Sequence, residues 1–281
     1  MRSELITAAD VAAHYDDLDA PYRDLWGEHL HHGFWKRGDE TPEDAARALV
    51  DLVVEFAEIR AGESVADVGC GYGATARILA RERGARVVGY TVSRVQAQWA
   101  QNQSSTPNDP RVVLGDWLAN EIPSQSQDVV LAIESVEHMV DREEFFRQAS
   151  RVLRPRGRIV LCVWLSRESA PAWAHRHLLE PIVREGRLAS LPSAREHEIS
   201  LTAAGFGDIE RRDLTSQVRQ TWPVCFGRLL QRTLRDGAFR RRFLVQSDEG
   251  RAFAATIPRI WIAYRIGAMG YEIIRARKTA A

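Results

Sequence analysis

Val65-Ala66-Asp67-Val68-Gly69-Cys70-Gly71-Tyr72-Gly73 is the stretch that decides the fold. Ser64 to Val68 is short, apolar and β-branched apart from its one acid, the composition of a parallel strand buried on both faces. The glycines that follow have no Cβ, so the backbone can turn sharply there and come close to a ligand. Ala74 to Arg83 (ATARILARER) then supplies strong helix formers with Ile78 and Leu79 as an apolar stripe, so a helix begins at once. Strand, glycine turn and helix N-terminus together make a site at the carboxyl edge of a parallel sheet, whose natural occupant is a nucleotide-like cofactor.

Working outward, Arg86–Tyr90 reads as a second strand and Ser93 to Gln103 as a helix with Ser93 at its N-cap. Arg111–Leu114 is a third strand, ending in Gly115-Asp116-Trp117. Asp128–Ile133 is a fourth, ending in Glu134-Ser135-Val136-Glu137-His138-Met139. Asp141 to Leu153 reads as a helix, and Arg154-Pro155-Arg156-Gly157 turns the chain into a fifth strand, Arg158–Leu165. This alternation implies a parallel sheet covered by helices on both faces. Upstream, Thr41-Pro42-Glu43-Asp44 opens a helix that runs to about Arg60 with Leu49, Leu52, Val53 and Phe56 on one face. Downstream come a helix over Ser193 to Ala204, a strand over Ile209–Leu214 and a closing strand over Tyr271–Ala276. The helix-rich stretch from Thr215 to Gly270, with Trp222, Phe226, Phe243, Phe253 and Trp261, is too long for a connector and reads as a cap. Residues 1–35 crowd aromatics, acids and histidines ahead of the first strand, which reads as an arm or lid.

In 281 residues, Lys+Arg and Asp+Glu number 38 each, so the formal charge is zero and nothing electrostatic favours nucleic acid or an anionic membrane as main partner. Cys70, Cys162 and Cys225 stand far apart and follow no metal or disulfide spacing. The opening MRSELITAADVAAHYDD is neither a signal nor a transit peptide, and no apolar run approaches a membrane span. The expectation is a reduced, soluble, cytoplasmic protein. His29, His31, His32, His175 and His177 do not match a tetrahedral ligand pattern, so no metal is expected, and His31 and His32 are read as part of the lid.

Two cofactors compete for the glycine turn. Gly69, Gly71 and Ala74 satisfy the G-x-G-x-x-G/A fingerprint of nicotinamide enzymes, which needs an acid about 20 residues further on. The second strand instead ends in Thr91-Val92-Ser93-Arg94, leaving only Arg94 to meet the 2′-phosphate of NADP. Asp67 and Gly73 complete D-x-G-x-G-x-G, the first motif of S-adenosylmethionine methyltransferases. There the turn receives an amino-acid moiety, whose ammonium favours a nearby carboxylate.

Further motifs weigh on this choice: Trp26-Gly27-x-His29-x-His31-His32-Gly33-x-Trp35, Tyr90-Thr91-Val92-Ser93 followed by Gln96 and Gln98, Glu134 to Met139, Leu153 to Gly157, and Asp213-Leu214-Thr215 to Trp222-Pro223. With them, the sequence resembles the class I S-adenosylmethionine-dependent methyltransferases over nearly its full length. It is most similar to the small-molecule branch that includes tocopherol and bacterial natural-product methyltransferases. That branch carries Thr/Ser and a downstream Gln where generic members end the second strand in an acid. Arg156 departs from the family, which usually has glycine before Gly157.

The resemblance implies an α/β fold: a Rossmann-like, doubly wound, mostly parallel seven-stranded sheet. It implies an N-terminal helical lid over 1–40, a cofactor-binding core over 41–214, a helical substrate cap over 215–268 and the final strand of the core over 269–281. It also implies roles. Gly69, Gly71 and Gly73 line the methionine half of S-adenosylmethionine, with Asp67 ordering the turn. Thr91, Ser93 and Gln96 meet the ribose region, Asp116 accepts from the adenine amino group and Trp117 covers its face. Glu134 lies beneath the sulfonium, and Tyr15 closes over the cofactor. Trp117 as mere core and Ser93 as mere helix cap remain open.

Transfer of an activated methyl asks mainly for alignment. For an O–H or N–H⁺ acceptor His138 is the candidate base, with Glu137 or Glu134 to orient it. For a carbon acceptor, aromatic rings would stabilise the cationic product. Trp26, His31, Trp222 and Phe226 are the residues expected to meet the acceptor. The expected activity is methyl transfer to carbon, oxygen or nitrogen of a small, aromatic or prenylated, natural-product-like molecule, with no nucleic-acid partner and with self-association left open. Three other readings stay open. One is cyclopropane-lipid synthesis, weakened by the neutral charge and by Leu165-Ser166-Arg167-Glu168 where that group has an aromatic-Pro-Gly-Gly stretch. The others are an NADP oxidoreductase and a fold that binds the cofactor without turnover.

Overall fold

The computed structural model describes residues 6–245 and 247–279, so residues 1–5 of the expected arm and 280–281 of the expected final strand lie outside the described residues. At its centre is β1 (Ser64–Val68), apolar on both faces, with Val65, Ala66 and Val68 fully buried. Around it lie β2 (Arg86–Thr91), β3 (Arg111–Leu114), β4 (Gln127–Ile133), β5 (Leu153–Ser166), β6 (Phe206–Asp213) and β7 (Met269–Lys278). They form one seven-stranded sheet in the order β3-β2-β1-β4-β5-β7-β6. Pairing is parallel from β3 through β5, and β7 runs antiparallel between β5 and β6. Alternate side chains feed two cores. Val65, Val129, Leu131 and Val160 meet one layer of helices, and Ala66, Val68, Val130 and Leu161 the other.

In chain order the helices are α1 (Ala8–Asp17), α2 (Asp19–Trp26) and α3 (Pro42–Ala57) before the sheet, then α4 (Ala74–Arg83), α5 (Arg94–Asn102) and α6 (Arg142–Val152) between its strands. Thr41 caps α3 by accepting the Asp44 N–H at 3.1 Å, and Pro42 occupies the first helical position. Leu49, Val50 and Val53 of α3 are fully buried against the sheet, each burial stabilising the fold by about 1.5–3 kcal/mol. The helix stops at Ala57, short of Arg60, because Glu58 turns left-handed with φ 53°.

The remaining helices are α7 (Ala172–Ala174), α8 (Glu180–Glu185), α9 (Ala194–Ala203), α10 (Thr215–Val218), α11 (Thr221–Arg235), α12 (Gly237–Arg240) and α13 (Asp248–Arg265). The sequence reading places no element between Leu165 and Ser193, yet α7, a π-type turn at His175–Leu179 and α8 form one helical run there. Pro181 lies inside this run directly after the π-type turn, where the hydrogen-bond ladder is already irregular. Glu185 accepts from Thr256 and Arg259, tying α8 to α13. The helical layer above the carboxyl edge thus draws on two separated segments. Strand ends also differ from expectation: β6 begins at Phe206, and β5 begins at Leu153, taking in the turn in which Arg156 adopts φ 64°. Among the described residues no helix is long and apolar enough to cross a membrane.

Candidate active site

Two adjoining cavities open at the carboxyl edge of β1, β2 and β4. The first encloses about 1040 Å³ including its open mouth, and its floor is the glycine turn. Gly69 and Gly71 have φ 74° and 54°, values that favour glycine. A Cβ on Gly69 would run into Ser135, whereas a Cβ on Gly71 would meet nothing within 4 Å, so this backbone lies open to a ligand. Gly73 is not in the cavity wall. It starts α4 in the left-handed conformation, and a Cβ there would press on Ala100 at 3.2 Å. Asp67 is 3% exposed, its Oδ2 has no partner, and burial raises its carboxyl to about 7.

At the end of β2, the Thr91 hydroxyl donates to Gln96 Oε1 at 2.9 Å, and both residues line the cavity. Ser93 does not. Fully buried, it accepts the Gln96 N–H at 3.1 Å as the cap of α5 and donates to Asp16 of the arm. Asp116 lies in the wall and accepts the Leu118 N–H at 2.9 Å through Oδ1. Trp117 is in the wall but only 1% exposed, and its indole donates to the Phe145 carbonyl at 3.3 Å, so most of the ring is core. Arg94, the residue NADP would require, is exposed and outside the wall. An unpaired buried carboxylate oxygen, an open glycine backbone and neutral hydrogen-bonding groups at β2 fit the ammonium, methionine chain and ribose of S-adenosylmethionine.

The arm lines this cavity with Ala8, Val11 and Tyr15. Besides the Asp16 bond to Ser93, Asp19 accepts from the Tyr72 hydroxyl at 2.6 Å, and Glu28 pairs with Arg77 of α4. Leu18 and Leu25 on its inner side are 2% exposed, which gives a nominally polar segment an apolar seat.

The second cavity encloses about 750 Å³ including its mouth. Its walls come from the arm (Tyr22, Trp26), β5 (Trp164), α8 (Ile182), α11 (Trp222) and α13 (Phe253). Of the residues expected to meet the acceptor, Trp26, His31 and Trp222 line this cavity and Phe226 does not. It is 38% exposed on the outer side of α11, whose inward stripe is Trp222, Cys225 and Leu229. Tyr15, Leu30, His31, Glu134 and His138 line both cavities and form the passage between them.

At that passage the Arg187 carbonyl can only accept, so His138 Nδ1 bears the proton it donates there at 2.9 Å. Its Nε2 lone pair accepts from the Tyr15 hydroxyl at 2.9 Å. Burial draws the ring down to about 4, below the range expected from its type. Neither glutamate orients it. Glu137 accepts the Trp164 N–H at 2.5 Å, its Oε2 has no partner, and burial raises its carboxyl to about 8. Glu134, in the left-handed region with φ 52°, accepts from the His32 N–H at 2.7 Å, His32 Nδ1 at 2.9 Å, Trp164 Nε1 at 2.8 Å and the Tyr271 hydroxyl at 2.8 Å. Burial opposes its ionisation, and the hydrogen bonds it accepts from the His32 ring and backbone N–H favour the carboxylate.

His32, Trp164 and Tyr271 have no place among the sequence-derived site residues. They reach Glu134 from the arm, β5 and β7, and no spacing in the chain signals that convergence. His31 donates through Nδ1 to the His32 carbonyl at 2.9 Å, so its Nε2 faces His29 at 3.1 Å as acceptor. Among the described residues no group of three His, Cys, Asp or Glu side chains could hold a metal ion.

The chain is 32% identical to the 27-O-demethylrifamycin SV methyltransferase of Amycolatopsis mediterranei (strain S699), covering 97% of this chain and 98% of that protein. It is 27% identical to the chloroplastic tocopherol O-methyltransferase of Arabidopsis thaliana, covering 95% of this chain and 81% of that one. The cyclopropane synthase MmaA2 from Mycobacterium tuberculosis superposes with a TM-score of 0.84 at 25% identity, over 98% of this chain and all of that structure's. The family model described as mycolic acid cyclopropane synthetase matches residues 3–233. With the geometry of the first cavity, these likenesses place the chain in the mycolic acid cyclopropane synthetase family, to which it belongs as an S-adenosylmethionine-dependent methyltransferase.

Proposed function

We propose that the protein methylates a hydroxyl oxygen of a bulky, largely apolar natural-product-like acceptor held in the second cavity. The observation that carries this reading is the unprotonated Nε2 of His138 at the passage between the two cavities. The cofactor supplies an activated methyl whose transfer is an in-line displacement. The chain's own part is to bring the acceptor oxygen to that line and to receive its proton. An acceptor hydroxyl that displaces the Tyr15 O–H from His138 Nε2 is aligned and has a base in hydrogen-bond reach. The ring's weak basicity suffices because the oxygen's proton becomes acidic as its bond to carbon forms. Trp26, Trp164, Trp222 and Phe253 exclude water and supply the contact that a bulky apolar skeleton requires. The names of the rifamycin and tocopherol relatives support such an acceptor. The arm's contacts with Ser93, Tyr72 and Arg77 support residues 1–40 as a lid.

The test is His138→Ala, expected to lower kcat about 10²–10⁴-fold with little change in cofactor affinity. Wild-type product made with CD3-labelled cofactor should be a methyl ether that keeps every deuterium. The family's namesake chemistry is the second reading, and a cyclopropane product would lose one. A His138→Ala enzyme with wild-type turnover, or a cyclopropane product, refutes the proposal.

A further inference from the structure

The passage between the cavities contains a charge that nothing in the protein neutralises. Glu134 accepts four hydrogen bonds, from two groups of His32 and from Trp164 and Tyr271. An indole N–H and a phenol are neutral donors, and the state of His32 is fixed by a further contact. Trp222 Nε1 points at His32 Nε2 at 2.7 Å, and an indole nitrogen only donates. Nε2 is therefore an acceptor, the ring's proton sits on Nδ1, and His32 faces Glu134 as a neutral imidazole. Among the described residues no arginine or lysine pairs with Glu134. Arg77 is held by Glu28 and Arg187 by Glu249. The carboxylate is 7% exposed, so solvent screens it little. Its backbone lies in the left-handed region, with φ 52°.

Such a site is built for a cation. The methyl must pass from the first cavity to the second, so the sulfonium of the cofactor comes to the residues the two share, Glu134 among them. We propose that Glu134 is a charge-selecting residue that makes the cofactor cavity discriminate the sulfonium of S-adenosylmethionine from the neutral thioether of S-adenosylhomocysteine, favouring substrate over spent product. This rests on the methyl-transfer reading of the two cavities but not on the identity of the acceptor. The carboxylate does no chemistry in this role; it weights the binding equilibrium between two ligands that differ in one charge.

Calorimetric titration with S-adenosylmethionine, S-adenosylhomocysteine and sinefungin, a stable analogue bearing an amine near the sulfonium position, tests it without any acceptor present. Glu134→Gln should weaken S-adenosylmethionine and sinefungin by about tenfold while S-adenosylhomocysteine changes by less than about twofold. Glu134→Asp, which keeps the charge, should preserve the wild-type ratio even where all three affinities fall. Equal losses for the three ligands in Glu134→Gln would make the residue merely structural and overturn the proposal. A second measurement needs no variant. The amine of sinefungin bound to wild-type protein, followed through the pH dependence of its affinity relative to S-adenosylhomocysteine, should titrate above its free value. A value at or below the free one overturns the proposal whether or not the substituted proteins fold. Failure of O-methylation would instead show in product analysis and leave these ratios unchanged.

Discussion

Asp67→Asn should abolish a proton release that accompanies cofactor binding in the wild-type protein. Burial alone raises the Asp67 carboxyl to about 7, and its Oδ2 has no partner, so the empty site holds a proton through most of the acid range. The sign follows from that direction. A carboxyl raised on folding favours the empty fold at low pH, and the advantage is lost as pH rises through the folded value. An ammonium placed beside it reverses the shift, at about 1.4 kcal/mol for every unit recovered. Binding of S-adenosylhomocysteine should therefore release about 0.9 proton at pH 6, about 0.5 at pH 7 and almost none at pH 8.5. Affinity should rise about tenfold per unit between pH 5 and 6.5 and then level off. Titration calorimetry in two buffers of different ionisation enthalpy reads the proton count directly. Asp67→Asn should give no release at any of these values, with a weaker and flatter affinity. Release of no proton by the wild-type protein at pH 6 would refute the argument, because it would mean that Asp67 is already ionised or never meets the ammonium.

Gly71→Val should abolish S-adenosylhomocysteine binding while lowering stability by only about 1–2 kcal/mol, the cost of a side chain at positive φ, because its Cβ meets no protein atom. Thermal melts and calorimetry separate the two effects. Deleting residues 1–20 removes α1 and the Asp16 and Asp19 contacts; circular dichroism should show a folded protein and turnover assays little activity. Full turnover would exclude a lid. Arg156→Gly should raise stability by about 0.5–1 kcal/mol, since relief of the left-handed arginine exceeds the entropy that glycine adds to the unfolded chain. Scanning calorimetry should show Tm higher by about 1–3 °C.

Local signals made the cofactor half legible. The turn at Gly69 and Gly71, the cap at Ser93 and the alternation of β-branched runs with helix formers are each set within a few residues, and the structure places each where its chemistry puts it. The passage between the cavities is different. Glu134 is visible at the end of a strand, but two of its three donor residues, His32 and Tyr271, lie more than a hundred residues upstream and downstream. Only tertiary packing decides that they meet. Phe226 misled for a simpler reason. It follows Trp222 by four residues, yet the helix presents Trp222, Cys225 and Leu229 inward and leaves Phe226 outside. His138 was legible as a residue and not as an acid: its type suggests titration near neutrality, and only its burial reveals otherwise.

The walls of the two cavities have separate origins, and this bears on how the protein can be retooled. The first is made by turns locked onto the sheet: Ser135 donates to the Val68 carbonyl at 2.6 Å and stands where a Cβ on Gly69 would go, so neither position tolerates drift. The second takes Ile182, Phe253, Ile257 and Ile260 from α8 and α13, which are tied to each other through Glu185. Ile182, Ile257 and Ile260 line the second cavity and not the first. A lineage, or a designer, can therefore change the skeleton that is accepted while the cofactor grip is inherited intact. Libraries aimed at new acceptors belong on those two helices.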